Sequence, residues 1–152
     1  MNRIFSTALI IFVSFSITYG QKIKFEGKEF EIANVKASVV DFAGEQVIKV
    51  ERDLDKLAFD ADRLEVTVDE PTYVRLKGVD FDNGIIEVKM LAQIQDHSPF
   101  QRAQGFIGLA FRIDENDKAF ESIYLRPKVG RSDNQSARNR TVQYYAYPDH
   151  KF

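Results

Sequence analysis

The chain has 152 residues, with 21 Lys and Arg against 23 Asp and Glu, 13 Phe, and neither Cys nor Trp. A net charge of −2, with both signs interspersed, excludes the basic stripe that nucleic acid demands. The absence of Cys excludes a disulfide framework, thiol chemistry and thiolate metal sites, so stability must come from packing.

In chain order, Met1-Asn-Arg3 is a short positive start, and Ile4 to Tyr19 is apolar apart from Ser and Thr. Thr18 and Gly20 are small residues at −3 and −1 of a cleavage site before Gln21, so residues 1–20 read as a secretory signal peptide. An uncleaved anchor is the weaker alternative, because the apolar run is short for a span and a good cleavage site follows it. Without Cys the exported product is not a lipoprotein. Cleavage leaves 132 residues, enough for one domain, with 20 basic against 23 acidic residues and a net charge of −3. Secreted or periplasmic residence follows, with no stable membrane span in the mature chain. A cysteine-free exported domain points to a bacterial source.

The mature chain reads as β. Lys22 to Ile32 alternates apolar and charged residues around Gly27, a hairpin signal. Ala37 to Phe42 and Gln46 to Val50 form two further runs with Gly44 at the turn, and Thr72 to Lys77 alternates again. After the turn Asp82-Asn83-Gly84, the residues Ile86, Val88 and Met90 mark one face of a predicted strand, with Glu87 and Lys89 on the other. Gly105 to Ile113 and Phe120 to Pro127 are two strands joined by an acidic turn. An Arg/Asn/Ser-rich loop, Lys128 to Arg140, precedes a last strand from Thr141 to Tyr147. The stretch Asp53 to Asp69 carries no assignable element. Some eight strands without a long 3.6-residue period argue for an all-β sandwich.

The two strands from Gly105 to Pro127 have unlike faces. Ile107, Leu109, Phe111, Ile113, Ile123 and Leu125 share an apolar face, which is the expected core side. The opposite parity carries Phe106, Gly108, Ala110 and Arg112, then Ser122, Tyr124 and Arg126, then Thr141, Gln143, Tyr145 and Tyr147. Arg offers a fork of donors, Tyr a ring with a hydroxyl, and the small residues leave room for a ligand to approach. A plain solvated sheet face alternates in the same way. The chain stops at Asp149-His-Lys-Phe152, directly after an aromatic strand. Two sheets normally need later strands to cover their edges, so completion by another chain or by a longer polypeptide is expected.

Four segments in this order carry a resemblance: Val79 to Val88, Gly105 to Arg112, Phe120 to Pro127 and Gln143 to Asp149. From about Thr72 onward the chain resembles the concanavalin A-like lectin/glucanase jelly rolls of exported bacterial proteins. These are similar to laminin-G-like modules and to the keto-disaccharide hydrolase domain. The resemblance implies an antiparallel two-sheet jelly roll over residues 21–152, whose concave sheet faces carbohydrate. Family members continue beyond this chain's last residue, so the sandwich is expected to be incomplete.

On this reading Arg112, Tyr124, Arg126, Gln143 and Tyr145 line the ligand-facing surface. A glycosidase needs two carboxyls about 5–10 Å apart. Laminarinase-type relatives carry them as Glu-x-Asp-x-x-Glu, whereas Glu87-Val-Lys89 lacks the Asp and the second Glu. Glu121 falls on the core-side parity, where pairing with Arg112 or Arg126 is the simpler expectation. No catalytic residue is assigned. His97 and His150 lack a third ligand at zinc spacing, so no metal-binding residue is assigned either. Asp114 to Asp117 offers the oxygen ligands that calcium takes, and the resemblance allows calcium there, although turns favour Asp and Asn in any case. The sequence therefore argues for an exported, non-catalytic carbohydrate-binding module. The alternatives are a glycoside hydrolase of keto-disaccharide type and a module that associates with protein through unpaired sheet edges.

Overall fold

The computed structural model describes residues 21–57, 59–63, 70–96 and 98–151. The expected signal segment 1–20, His97 and part of the unassigned stretch 53–69 lie outside them. The fold is all-β, and the described residues form eight strands in three antiparallel sheets. The first sheet contains β1 (Lys22–Phe25), β2 (Lys28–Ala33) and β5 (Tyr73–Leu76), with β2 central. A hairpin of β3 (Val35–Phe42) and β4 (Glu45–Arg52) lies beside it. The third sheet contains β6 (Ile107–Phe111), β7 (Phe120–Leu125) and β8 (Val142–Tyr147), in that order.

Both early hairpins turn on two residues with positive φ, Glu26-Gly27 at 48° and 74° and Ala43-Gly44 at 51° and 85°. That is the turn geometry whose twist matches paired strands, and Gly takes it without steric cost. β4 ends at Arg52, and the carbonyl of Asp53, the next residue, accepts the Leu57 N–H at 2.8 Å and closes a turn. The buried Asp53 carboxylate faces the ammonium groups of Lys36 and Lys56 at 3.6 and 3.9 Å. The expected loop after β7 contains two short helical turns, α1 (Pro127–Gly130) and α2 (Gln135–Arg138). Asn134 caps α2, its side chain accepting the Ala137 N–H at 3.0 Å.

Two sequence expectations are corrected. Ile86 to Met90 pairs with no strand among the described residues, and every residue from Lys77 to Leu91 is exposed. Alternation makes a segment competent for a sheet, but a strand exists only where a neighbouring edge takes its hydrogen bonds.

The second correction concerns the faces of the third sheet. The aliphatic face is the outer one, with Ile123 47%, Tyr144 52% and Val142 59% exposed. The face bearing Phe120, Ser122 and Tyr124 is buried, at 5%, 4% and 9% exposure. Parity along each strand is as read, while the inside and the outside are exchanged. The reason lies in what each face meets. The rings of Phe120, Tyr124, Tyr145 and Tyr147 pack on one another and receive Tyr73 from β5 and Phe106 from the loop before β6. On the aliphatic face Ile107, Leu109, Phe111 and Leu125 are half-buried, and Ile123 and Val142 stay exposed. The buried hydrophobic core among the described residues is small: Val35, Phe120 and Tyr124. No helix among them is long and apolar enough to cross a membrane.

Candidate functional site

Pairing of β6 with β7 and of β7 with β8 sets Gly108, Tyr124 and Gln143 in one row and Ala110, Ser122 and Tyr145 in the next. Phe120 lies opposite Tyr147, and their rings stack at 4.9 Å with planes 8° apart. Tyr145 meets both rings edge-to-face at 5.9 and 5.6 Å, and meets Tyr124 at 5.5 Å. Burial pushes the Tyr145 hydroxyl above the ordinary tyrosine range. Phe106 closes the row against Tyr124 at 5.7 Å and remains 51% exposed.

Gly108 does not hold space open for a ligand. A Cβ there would strike the Ile123 carbonyl oxygen and lie 2.5 Å from Tyr124 Cα, so glycine is needed for β6 to approach β7.

Arg126 stands at the end of the aromatic row. Its Nη2 donates to the Tyr124 hydroxyl at 2.7 Å and to Gln143 Oε1, and the Tyr124 hydroxyl donates to the same Gln143 oxygen at 2.9 Å. The guanidinium carbon lies 5.4 Å from the Tyr124 ring centroid and 6.0 Å from that of Phe106. Its Nε is buried with no hydrogen-bond partner. Three of the five predicted residues, Tyr124, Arg126 and Gln143, thus form one hydrogen-bonded unit, and Tyr145 sits deeper beside it. Phe106 completes the unit; parity placed it on this face with Gly108 and Ala110, but it was not among the five residues chosen.

Arg112 is not part of this unit. Its backbone adopts φ +51°, and its side chain bonds Glu121 at 2.7 Å on the outer face. Strict alternation fails there because the strand ends at Phe111. The Tyr144 hydroxyl donates to the other Glu121 oxygen at 2.8 Å. Arg112 first, then Tyr144, holds the Glu121 carboxyl below the usual carboxylate range. Glu121 is therefore an ion-paired carboxylate, and of the two expected partners, Arg112 and Arg126, it meets Arg112.

A second polar cluster joins the first sheet to the β6–β7 turn. Arg75 donates to Glu31 at 2.9 Å, to Asp117 at 3.1 Å and to the Asp114 carbonyl at 3.2 Å. The Tyr73 hydroxyl donates to Asp117 at 2.6 Å, and Lys77 pairs with Glu31 at 3.1 Å. Hydrogen bonds from Arg75 and then Lys77 lower the Glu31 carboxyl, while burial followed by the bond to Asp117 raises the Tyr73 phenol. An open groove of about 370 Å³ lies alongside, lined by residues including Arg75, Lys77, Ile113 and Glu115. Sequence reading missed this cluster, since Glu31 and Arg75 are only polar positions until β2 pairs with β5.

The cluster also accounts for the acidic turn considered for calcium. Arg75 and Tyr73 engage the Asp117 carboxylate, and Asp114 Oδ1 accepts the Lys118 N–H at 2.7 Å. No group of three or more His, Asp or Glu suited to a metal occurs among the described residues. His150 exchanges backbone hydrogen bonds with Ala146 at 2.7 and 2.8 Å.

Compared with known proteins, this chain matches no family model, no curated protein and no solved structure at a significant level.

Proposed function

We propose that this is an exported, non-catalytic carbohydrate-binding protein, a sandwich of the concanavalin A-like kind, whose ligand surface is the Phe106–Tyr124–Arg126–Gln143 end of the third sheet. The observation that carries the reading is the combination of a half-exposed aromatic ring with hydrogen-bonded Arg, Tyr and Gln groups at one end of the third sheet. A pyranose presents an apolar face that suits Phe106 and hydroxyls that suit the Arg and Gln groups. Glu121 speaks against hydrolysis here: it lies on the opposite sheet face and is held ionised by Arg112, so it supplies no proton to this end. Export rests on the segment before Gln21, and amino-terminal sequencing of exported material should begin at or near that residue.

The test is a glycan array with the full protein, followed by calorimetry on Phe106→Ala and Gln143→Ala. Each substitution should weaken binding by about 1–3 kcal/mol, the range for a platform or a polar anchor. If no carbohydrate binds, the reading fails. A second reading, association with another protein chain, is favoured by the exposed aliphatic face of Ile123, Val142 and Tyr144.

A further inference from the structure

Resting on the carbohydrate-binding reading, we infer that the saccharide taken at this site is anionic and carries a carboxylate, as a uronic acid does. The argument starts from charge. Between Arg126 and Thr141 the chain holds Arg126, Lys128, Arg131, Arg138 and Arg140 against a single acid, Asp133, in a protein whose other residues carry 16 basic against 22 acidic side chains. The Arg126 N–H bonds the Thr141 carbonyl at 2.7 Å, closing the base of this loop, and the Lys128 N–H bonds the Gln104 carbonyl at 3.1 Å. The basic loop is thereby tied to the segment that presents Phe106.

Elsewhere among the described residues several basic side chains meet acids, although Lys24, Lys28, Lys89, Arg102 and Lys118 do not: Lys22 meets Glu29, Lys49 meets Glu51, Arg75 meets Glu31 and Asp117, and Arg112 meets Glu121. Among the described residues, none of the five loop cations lies within ion-pair distance of a carboxylate. Arg138 is spent on the carbonyls of Ser132 and Asp133 and on Gln135. The other four keep their charge uncompensated.

Arg126 is the one of these four set into the aromatic row. Only its Nη2 makes hydrogen bonds, both to neutral oxygens, and the flanking rings supply π faces but no counter-charge. A partly buried guanidinium satisfied by neutral groups alone leaves a deficit that an anion fills with a charge-assisted bond. A uronate stacked on Phe106 would place a carboxylate at its ring periphery, within reach of Nη1. Arg131 and Arg140, both exposed, add attraction over roughly a Debye length, about 8 Å at physiological salt.

The experiment is calorimetry of the full protein with galacturonate, glucuronate and mannuronate oligosaccharides, each paired with its methyl ester. Esterification removes the charge and keeps the ring. At least one acid should bind ten or more times tighter than its ester, and its affinity should fall severalfold between 20 and 200 mM salt. Arg126→Lys and Arg126→Gln should each cost tenfold or more, with Lys the milder. Equal binding of acid and ester, or binding of neutral glycans alone, overturns the inference and leaves the carbohydrate reading standing. Binding of a sulfated galactan oligosaccharide without any uronate overturns the carboxylate assignment. If no saccharide of either kind binds, the carbohydrate reading itself has failed. The acid–ester comparison uses unaltered protein, so it decides the matter even where the variants do not fold.

Discussion

Replacing Phe120 with Ala tests which face of the third sheet is the inside. Phe120 is 5% exposed, stacks on Tyr147 at 4.9 Å, and meets Tyr73 and Tyr145 edge-to-face at 5.7 and 5.9 Å. Loss of a buried Phe ring costs about 3–5 kcal/mol, and each aromatic pair is worth about 0.5–1.5 kcal/mol beyond its area, which places Phe120→Ala near the top of that range. Ile123 is the comparison, three residues further along β7 on the other face and 47% exposed. A fully buried Ile side chain is worth about 1.5–3 kcal/mol, so with half its surface still in water Ile123→Ala should cost about 1 kcal/mol. The assay is urea unfolding followed by circular dichroism and tyrosine emission. At an m-value of about 1–3 kcal/mol/M, a gap of about 3 kcal/mol separates the two midpoints by at least about 1 M. Complete loss of the transition in Phe120→Ala has the same meaning. Equal midpoints, or a larger loss at Ile123, would show that the aliphatic face is the core and that the aromatic row is solvated.

Gly108→Ala should lower the unfolding midpoint by the equivalent of about 1–3 kcal/mol, because its Cβ meets the backbone of β7; an unchanged midpoint would refute the close approach of the strands. Glu31, with its carboxyl lowered by Arg75, contributes stability that is present above the unfolded carboxyl value of 4.5 and is lost as pH falls through the lower folded value. In Arg75→Ala the stability should therefore fall less between pH 5 and 3 than in the parent, and an identical acid limb in both would dismiss the pairing. Size-exclusion chromatography with light scattering should find association that Ile123→Lys and Val142→Lys reverse; a monomer at all concentrations would remove the protein-association reading.

Much of the architecture was legible in the chain because its signals are local. A two-residue turn at Glu26-Gly27 or Ala43-Gly44 is written in the positive φ it requires, and strand parity follows from the alternation of side chains along one backbone. The chain also placed Tyr124, Arg126 and Gln143 on one face, since cross-strand register carries parity from β7 to β8. The missed features all depend on a second surface. Arg112 leaves the row because its backbone turns left-handed where β6 ends, and Asp117 is claimed by Arg75 and Tyr73 from a sheet distant in sequence.

The same boundary separates composition from burial in the third sheet. By itself the sequence determined that one face is aliphatic and the other aromatic and polar. Only the tertiary structure decided that the aromatic face lies inside, because Tyr73 and Phe106 cover it while Ile123, Val142 and Tyr144 on the other face stay exposed. Hydrophobicity drives a surface to be covered, but it names neither the partner nor its distance along the chain. Rings that pack on rings while their hydroxyls reach Arg126, Gln143 and Asp117 can bury as well as aliphatic side chains, once those distant groups have been brought together.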